Sequence, residues 1–320
     1  MNYLRELPKF EYLAPQSIPE VCEMLAAHEG EAKLMAGGTD LIIMMRRREV
    51  VPHYLIGLKS VPELNFIREE KDGGLTIGAM ATSWEIQSSS LVRQRYDFLA
   101  KTAADIGSIE NLHVSTIGGN LCDGFPCVDF PAPLLTLDAK VKLVSQRGER
   151  IVPLDGFYLG YQKTAVEPDE LLTEIQILPH NHRYGGAYIK FHDRHAIDIT
   201  TTGAGAFITL DSDGQTARDV KIALTTSAPV PLRVKGAEAA LCGRKVTEEA
   251  TEEAGRIASE EASPRTSWRS TAEFRTKLVQ VLVRRALRQA WRKVTTSSSS
   301  GAAPDLWLMH PLDPRIGENR

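Results

Sequence analysis

Apolar residues fall in short blocks whose spacing switches between helical and alternating along the chain. Ser17 stands where an N-cap would, with Pro19 and Glu20 in the first turn and Val21, Met24 and Leu25 on one face. This predicts a helix that ends near Gly30. Residues 33–36 predict a short strand running straight into Gly37 and Gly38, and the apolar run 41–45 begins a helix whose solvated end carries Arg46, Arg47 and Arg48. Residues 54–58 read as a buried strand. Residues 64–67 and 75–77 flank Asp72-Gly73-Gly74, a hairpin signal. A helix over 84–88 follows, then helical spacing through Leu91, Val92, Leu99, Ala103 and Ile106. Residues 131–137 lead into a strand over 140–144 and a polar turn at 146–149.

The pattern changes after Pro179. Residues 187–191, 204–210 and 220–224 read as strands, with a turn at 211–214, and residues 246–261 and 274–291 read as two closing helices. That order predicts an antiparallel sheet packed by helices, separated from the first unit near residue 178. Helical periodicity ends near Trp291, and 295–303 is small and polar, a flexible tether. Beyond it Leu306, Trp307, Leu308, Met309 and Leu312 return between polar residues and prolines. A disordered tail and an arm that docks on a partner both fit this segment; the arm would cover apolar surface that is costly to expose.

A chain of 320 residues has room for two or three domains. Its 42% hydrophobic and 25% charged residues are ordinary for a soluble globular protein. A net charge of −3 without a basic block argues against nucleic acid or an anionic membrane as partner. Residues 1–10 carry charge early and lack an apolar core of the signal-peptide kind, and no run of about eighteen uncharged apolar residues exists to span a membrane. Cys22, Cys122, Cys127 and Cys242 are not spaced like a disulfide scaffold. A cytoplasmic chain with free thiols is expected.

The candidate chemistry centres on two glycine pairs about eighty residues apart. The first is Ala36-Gly37-Gly38-Thr39-Asp40-Leu41, and the second is Thr116-Ile117-Gly118-Gly119-Asn120-Leu121-Cys122. Either alone is explained by a turn and a helix cap. Together, as loops, they can cradle a diphosphate from opposite sides with unobstructed backbone N–H groups, although neither fits the G-x-G-x-x-G fingerprint. Thr116 and Asn120 can reach ligand oxygens. Asp129 is either an acceptor for a sugar hydroxyl or a surface carboxylate. Cys122 and Cys127 are a weak metal signal and read better as two buried or half-buried thiols. Lys190, Asp193, Arg194, His195 and Asp198 form the densest polar group of the second half. Lys190 could reach a flavin or phosphate oxygen, and His195 is a candidate acid–base group without a partner constellation. No H-E-x-x-H, G-x-S-x-G or P-loop occurs.

Taken in order, the two glycine motifs, Asp129, the segment 131–139 and Tyr188-Ile189-Lys190 give the chain a resemblance to a known family. Over roughly residues 8–290 it resembles the FAD-binding medium subunit of the molybdenum hydroxylases, the xanthine dehydrogenase and carbon monoxide dehydrogenase family. The resemblance implies an α+β protein: an FAD-binding domain over 1–178, with subdomains of about 1–57 and 58–178, and a smaller C-terminal α+β domain over 179–294. Residues 295–320 would then be the tether and docking arm. It implies noncovalent FAD in this chain, lined by Leu34, Ala36, Gly37, Gly38, Thr39, Asp40 and Leu41 on one side. Ile106, Gly107, Thr116, Gly119, Asn120, Cys122, Val128 and Asp129 would line the other, with Leu172 and Lys190 as contacts at the flavin ring. It implies an electron-transfer subunit without a substrate site or metal of its own. A large partner would hold the molybdopterin cofactor and a small partner two [2Fe–2S] clusters, in a heterotrimer that pairs into a dimer. The medium subunits of hydroxybenzoyl-CoA reductases share Asn-Leu-Cys in the second motif but carry a cysteine-rich insertion for a [4Fe–4S] cluster. Only four residues separate Cys122 from Cys127, so that extra cluster is not expected. The competing readings are a standalone flavin oxidoreductase using Asp193 and His195, and a noncatalytic assembly subunit.

Overall fold

Ser17 does cap the first helix. Its hydroxyl accepts the Glu20 N–H at 3.4 Å, and the Glu20 carboxylate accepts the Gln16 N–H at 2.8 Å. The computed structural model describes residues 6–180, 182–194 and 197–296. Its N-terminal unit consists of β1 (Glu11–Leu13), α1 (Ile18–Ala27), β2 (Ala32–Met35), α2 (Leu41–Arg47) and β3 (Tyr54–Gly57). The strands form a parallel sheet in the order β1-β3-β2, so the helices are crossovers between parallel strands. Val21 and Leu25 of α1 bury against Ile56 and Leu58. The arginines that close α2 are exposed, as the sequence predicts, and Arg48 ends the helix in the left-handed region at φ 61°.

The second unit comprises β4 (Ile67–Glu69), β5 (Leu75–Gly78), α3 (Ser83–Ser88), α4 (Ser90–Arg95), α5 (Asp97–Ala104), α6 (Ile109–Val114), α7 (Ile117–Cys122) and α8 (Pro131–Thr136). It continues with β6 (Lys140–Ser145), β7 (Gly148–Pro153), β8 (Tyr158–Gly160), β9 (Lys163–Thr164) and β10 (Leu171–Ile177). Five strands pair as β4-β5-β10-β6-β7, all antiparallel, while β8 and β9 form a separate hairpin. The expected hairpin between β4 and β5 is present. Asp72 takes the Gly74 N–H at 2.8 Å, and Gly73 sits at φ 88°. Its first strand starts at Ile67, because Pro62–Leu64 forms a 3-10 turn instead. The helical spacing through Ile106 divides at Tyr96, whose φ of −138° breaks α4 from α5. The second glycine pair lies inside α7 rather than in a loop.

The third unit is an antiparallel sheet in sequence order: β11 (Tyr184–Phe191), β12 (Thr202–Leu210), β13 (Ala217–Thr225) and β14 (Leu232–Arg233). It is followed by α9 (Lys235–Leu241), α10 (Glu248–Glu261) and α11 (Ala272–Thr296). Its core joins Ala204, Ile208, Ile222 and Leu224 of the sheet to Val279, Val283, Leu287 and Ala290 of α11. The last helix runs past Trp291, correcting the expected helix end and tether start. Val294 is fully buried, and the Thr295 hydroxyl donates to the Trp291 carbonyl at 3.0 Å. Leu306, Trp307, Leu308, Met309 and Leu312 lie outside the described residues. No helix among the described residues is long and apolar enough to cross a membrane.

Two polar latches join the third unit to the second. Arg233, 8% exposed, forks onto Glu238 at 2.6 and 2.8 Å and reaches Asp138 at 2.7 Å and the Leu135 carbonyl at 3.2 Å. Lys293 of α11 bonds both oxygens of Asp97 on α5 at 2.7 Å. Burial alone would raise the Asp97 carboxyl, but Lys293 and Lys101 outweigh it and hold it below the usual range.

Candidate cofactor-binding cleft

The first glycine motif is the turn between β2 and α2. Gly38 holds φ 72°, a left-handed backbone that other residues adopt only with strain. None of the backbone N–H groups of residues 37–41 donates a hydrogen bond among the described residues, while the carbonyls of Gly38 and Asp40 accept from Ile42 and Met44. The Thr39 hydroxyl donates to the Asp40 carboxylate at 3.1 Å. Residues 36–39 are half-buried and Asp40 is exposed. A row of N–H groups left unpaired at the opening of a helix, on residues that are not fully buried, can bind an anion.

The second motif works differently from the sequence expectation. Its N–H groups are held inside the protein: Ile117 to the Ala81 carbonyl at 3.0 Å, Gly118 to the Ala79 carbonyl at 2.9 Å and Gly119 to the Thr116 hydroxyl at 3.1 Å. Those long-range bonds and the Thr116 cap make it a helix. Its glycines therefore serve close approach, not N–H donation. A Cβ on Gly118 would lie 2.7 Å from Ala79, which is how α7 seats against the β5–α3 connection. Gly119 is exposed on the other side, where a Cβ would meet the Thr116 hydroxyl at 2.9 Å and Ala36 at 3.7 Å. Gly37 closes the contact from the first motif; its Cβ would fall 1.9 Å from the Val114 carbonyl oxygen. The two motifs thus meet edge to edge.

The rest of the wall follows α7. Asn120 accepts the Phe130 N–H through Oδ1 at 3.3 Å, which leaves its NH2 group without a partner among the described residues. Cys122 is exposed, yet its surroundings are dense enough that burial, with Asp123, pushes the thiol up to about 12. Solvent access within dense protein marks a side chain lining a concavity. Cys127 is half-buried and pushed up to about 11 by burial and then Asp123. The Tyr158 hydroxyl is buried without a hydrogen-bond partner among the described residues. Ile106, Gly107 and Val128 are half-buried, and Gly107 holds φ 70°. Leu34 and Ala36 pack on the core of the first unit. Leu41 is half-buried at the start of α2. Leu172 is 4% exposed within the second unit's core, opposite Leu143, so its side chain serves packing.

Asp129 is no surface carboxylate. At 7% exposure it pairs with Lys190 Nζ at 2.9 Å and accepts from the hydroxyls of Thr200 at 2.5 Å and Tyr188 at 3.2 Å. Lys190 also donates to the Asp105 carbonyl at 3.2 Å. Burial raises the nearby Asp105 carboxyl despite the pull of Lys190. This network clamps β11 of the third unit to the end of the cleft. Tyr188 shares a strand face with Lys190, a period-two signal available in the sequence, whereas nothing there marks Thr200, Asp123 or Tyr158.

The remaining polar candidates organise a loop. Asp198 accepts the N–H groups of Asp193 at 2.9 Å, Arg194 at 3.0 Å and Ile199 at 3.0 Å. His195 lies outside the described residues. Among those residues no group of three or more His, Cys, Asp or Glu side chains could hold a metal ion. The four thiols are free.

Comparison with known proteins gives the same assignment along nearly the whole chain. Residues 8–180 match the family described as the FAD binding domain in molybdopterin dehydrogenase, and residues 187–290 match the CO dehydrogenase flavoprotein C-terminal domain. The carbon monoxide dehydrogenase medium chain of Hydrogenophaga pseudoflava is 36% identical over 286 residues, covering 89% of this chain and 98% of the relative. The xanthine dehydrogenase FAD-binding subunit of Escherichia coli O157:H7 is 31% identical over 267 residues, covering 83% of this chain and 91% of the relative. Among solved structures, carbon monoxide dehydrogenase from Hydrogenophaga pseudoflava superposes with a TM-score of 0.86, covering 90% of this chain and 99% of that one at 36% identity. Quinoline 2-oxidoreductase from Pseudomonas putida 86 gives a TM-score of 0.84 at 25% identity, covering 91% of this chain and 99% of that one.

Proposed function

Because the chain belongs to the FAD-binding medium subunits of the molybdenum hydroxylase family, we propose that the cleft between the first glycine turn and α7 holds FAD noncovalently. The chain is an FAD-binding electron-transfer subunit of a multisubunit molybdopterin oxidoreductase complex. The observation that carries the cofactor assignment is the row of unpaired N–H groups over residues 37–41 opposite the bare Gly119.

The residues present fit a dinucleotide. The N–H groups of Gly37, Gly38, Thr39, Asp40 and Leu41 would hold the diphosphate, and Ala36 and Gly119 would let it lie close to the backbone. The free NH2 group of Asn120 would donate to a ligand oxygen. Ile106, Gly107, Thr116, Cys122 and Val128 would shape the opposite wall, and Leu34 and Leu172 would support it from the core. Lys190, oriented by Asp129, would place positive charge at the flavin end. When bound, FAD exchanges electrons between one-electron carriers and a two-electron acceptor. This chain's part is to bind the cofactor, orient it and control its access.

In this reading a large partner holds the molybdopterin cofactor and the substrate, and a small partner holds two [2Fe–2S] clusters. The assembly is a dimer of heterotrimers in the cytoplasm. The division of labour is tested by purifying the native complex and comparing it with this chain loaded with FAD alone. Co-elution with a large and a small redox subunit, with substrate oxidation only by the assembly, is expected. Full turnover by this chain with FAD alone would establish a standalone oxidoreductase instead.

A further inference from the structure

Two carboxylates flank the cleft where its motifs meet, and neither has a cation for a partner among the described residues. Asp40 begins α2 but makes no cap hydrogen bond with its side chain; among the described residues it accepts only from the Thr39 hydroxyl. Asp123 ends α7 half-buried, and its carboxylate makes no hydrogen bond or ion pair among the described residues. The 3.7 Å separation between Ala36 and a Cβ on Gly119 shows how closely the elements bearing them approach.

Among the described residues no surrounding cation is paired with either carboxylate. On α7 itself stands the Cys122 thiol, on the following loop Cys127 and Asp129, and on β8 the buried Tyr158 hydroxyl, which has no partner among the described residues. Lys190 is held by Asp129 at 2.9 Å. Lys163 of β9 places its backbone nitrogen beside Gly124. Neither lysine offsets the effect on Asp123 of burial and the Asp40 charge, which push its carboxyl up to about 7. A dinucleotide whose diphosphate lies on residues 37–41 would bring further negative charge to the same wall.

We propose that Asp123 is a proton-holding residue of the cofactor cleft: the chain takes up a proton there when it binds FAD, and its hold on FAD weakens as Asp123 ionises in the empty chain. This rests on the flavin reading above and adds a residue and a linkage to it. The proton comes from solvent onto a carboxylate oxygen of Asp123, turning a repelling acceptor into an O–H donor. The sign follows from linkage. The loaded state binds more protons than the empty one, so affinity falls as pH rises, by up to about tenfold per pH unit above the empty-state titration.

The test is calorimetric titration of FAD into the full chain stripped of its flavin, at several pH values and in two buffers of different ionisation enthalpy. The expected result at pH 8 is uptake of roughly one proton per FAD and a Kd that climbs with pH. Asp123→Asn should take up none and give a flat profile. Asp40→Asn should move the onset of weakening to lower pH, because without the neighbouring negative charge the empty chain gives up the Asp123 proton at lower pH. If Asp123→Asn does not fold, the wild-type proton count decides alone. FAD binding with no proton uptake and a pH-independent Kd overturns the proposal and leaves the flavin reading intact. Absence of FAD binding at every pH removes that reading, and the proposal with it.

Discussion

Gly119→Leu is expected to weaken FAD retention by about a hundredfold, equivalent to roughly 3 kcal/mol, while the chain keeps its fold. The reason is where a side chain at this position would go. Gly119 is exposed, and a Cβ there meets only the Thr116 hydroxyl at 2.9 Å and Ala36 at 3.7 Å, so the rest of a leucine enters the cleft. Within α7 leucine is a better helix former than glycine by about 1 kcal/mol, which offsets a small displacement of Thr116. Flavin content after gel filtration, beside a thermal melt, reads both effects. Full flavin retention would place the cofactor elsewhere. Gly37 cannot serve for this purpose. A Cβ 1.9 Å from the Val114 carbonyl would push the two motifs apart, so loss of flavin there would not separate the site from the fold.

Arg233→Ala is expected to lower the stability of the chain by about 3–5 kcal/mol. The guanidinium is the centre of a buried latch, with Glu238 at 2.6 and 2.8 Å, Asp138 at 2.7 Å and the Leu135 carbonyl at 3.2 Å. Glu238, 8% exposed, also accepts the Ile222 N–H at 2.8 Å and would remain buried with that single donor. The cost comes from the stranded carboxylate more than from the lost attraction. Replacing Glu238 as well, in Arg233→Met/Glu238→Leu, should recover part of the loss. Urea unfolding of the three chains measures it; a loss below about 1 kcal/mol for Arg233→Ala would mean that solvent or a neighbour satisfies Glu238.

Local signals carried well from sequence to structure. Ser17 and Glu20 interact within four residues, and Asp72 reaches Gly74 two residues away, so nothing distant can override them. The order of the two glycine motifs was legible for the same reason. What each motif does was not. The second becomes a helix through bonds to Ala79 and Ala81, some 36–39 residues earlier, and these remove the N–H groups it seemed to offer. Asp129 looked like a surface group because its partners are remote: Lys190 lies 61 residues away and Thr200 71. The position of β10 at the centre of its sheet depends on pairing with β5 and β6, neither adjacent to it in sequence. Asp123 carried no signal at all, since its character comes from burial and from Asp40. Thr295 and Thr296 read as tether residues, yet Val294 is buried and the helix continues through them.

The most direct measurement of the central claim is the flavin content of each subunit of the natively purified complex. After mild denaturation and separation, the chromophore is identified by mass and assigned to its chain by reconstitution. The expected result is one FAD for each copy of this chain, released without covalent attachment and rebound by this chain alone. A complex without flavin, or flavin that rebinds only to another subunit, would contradict it.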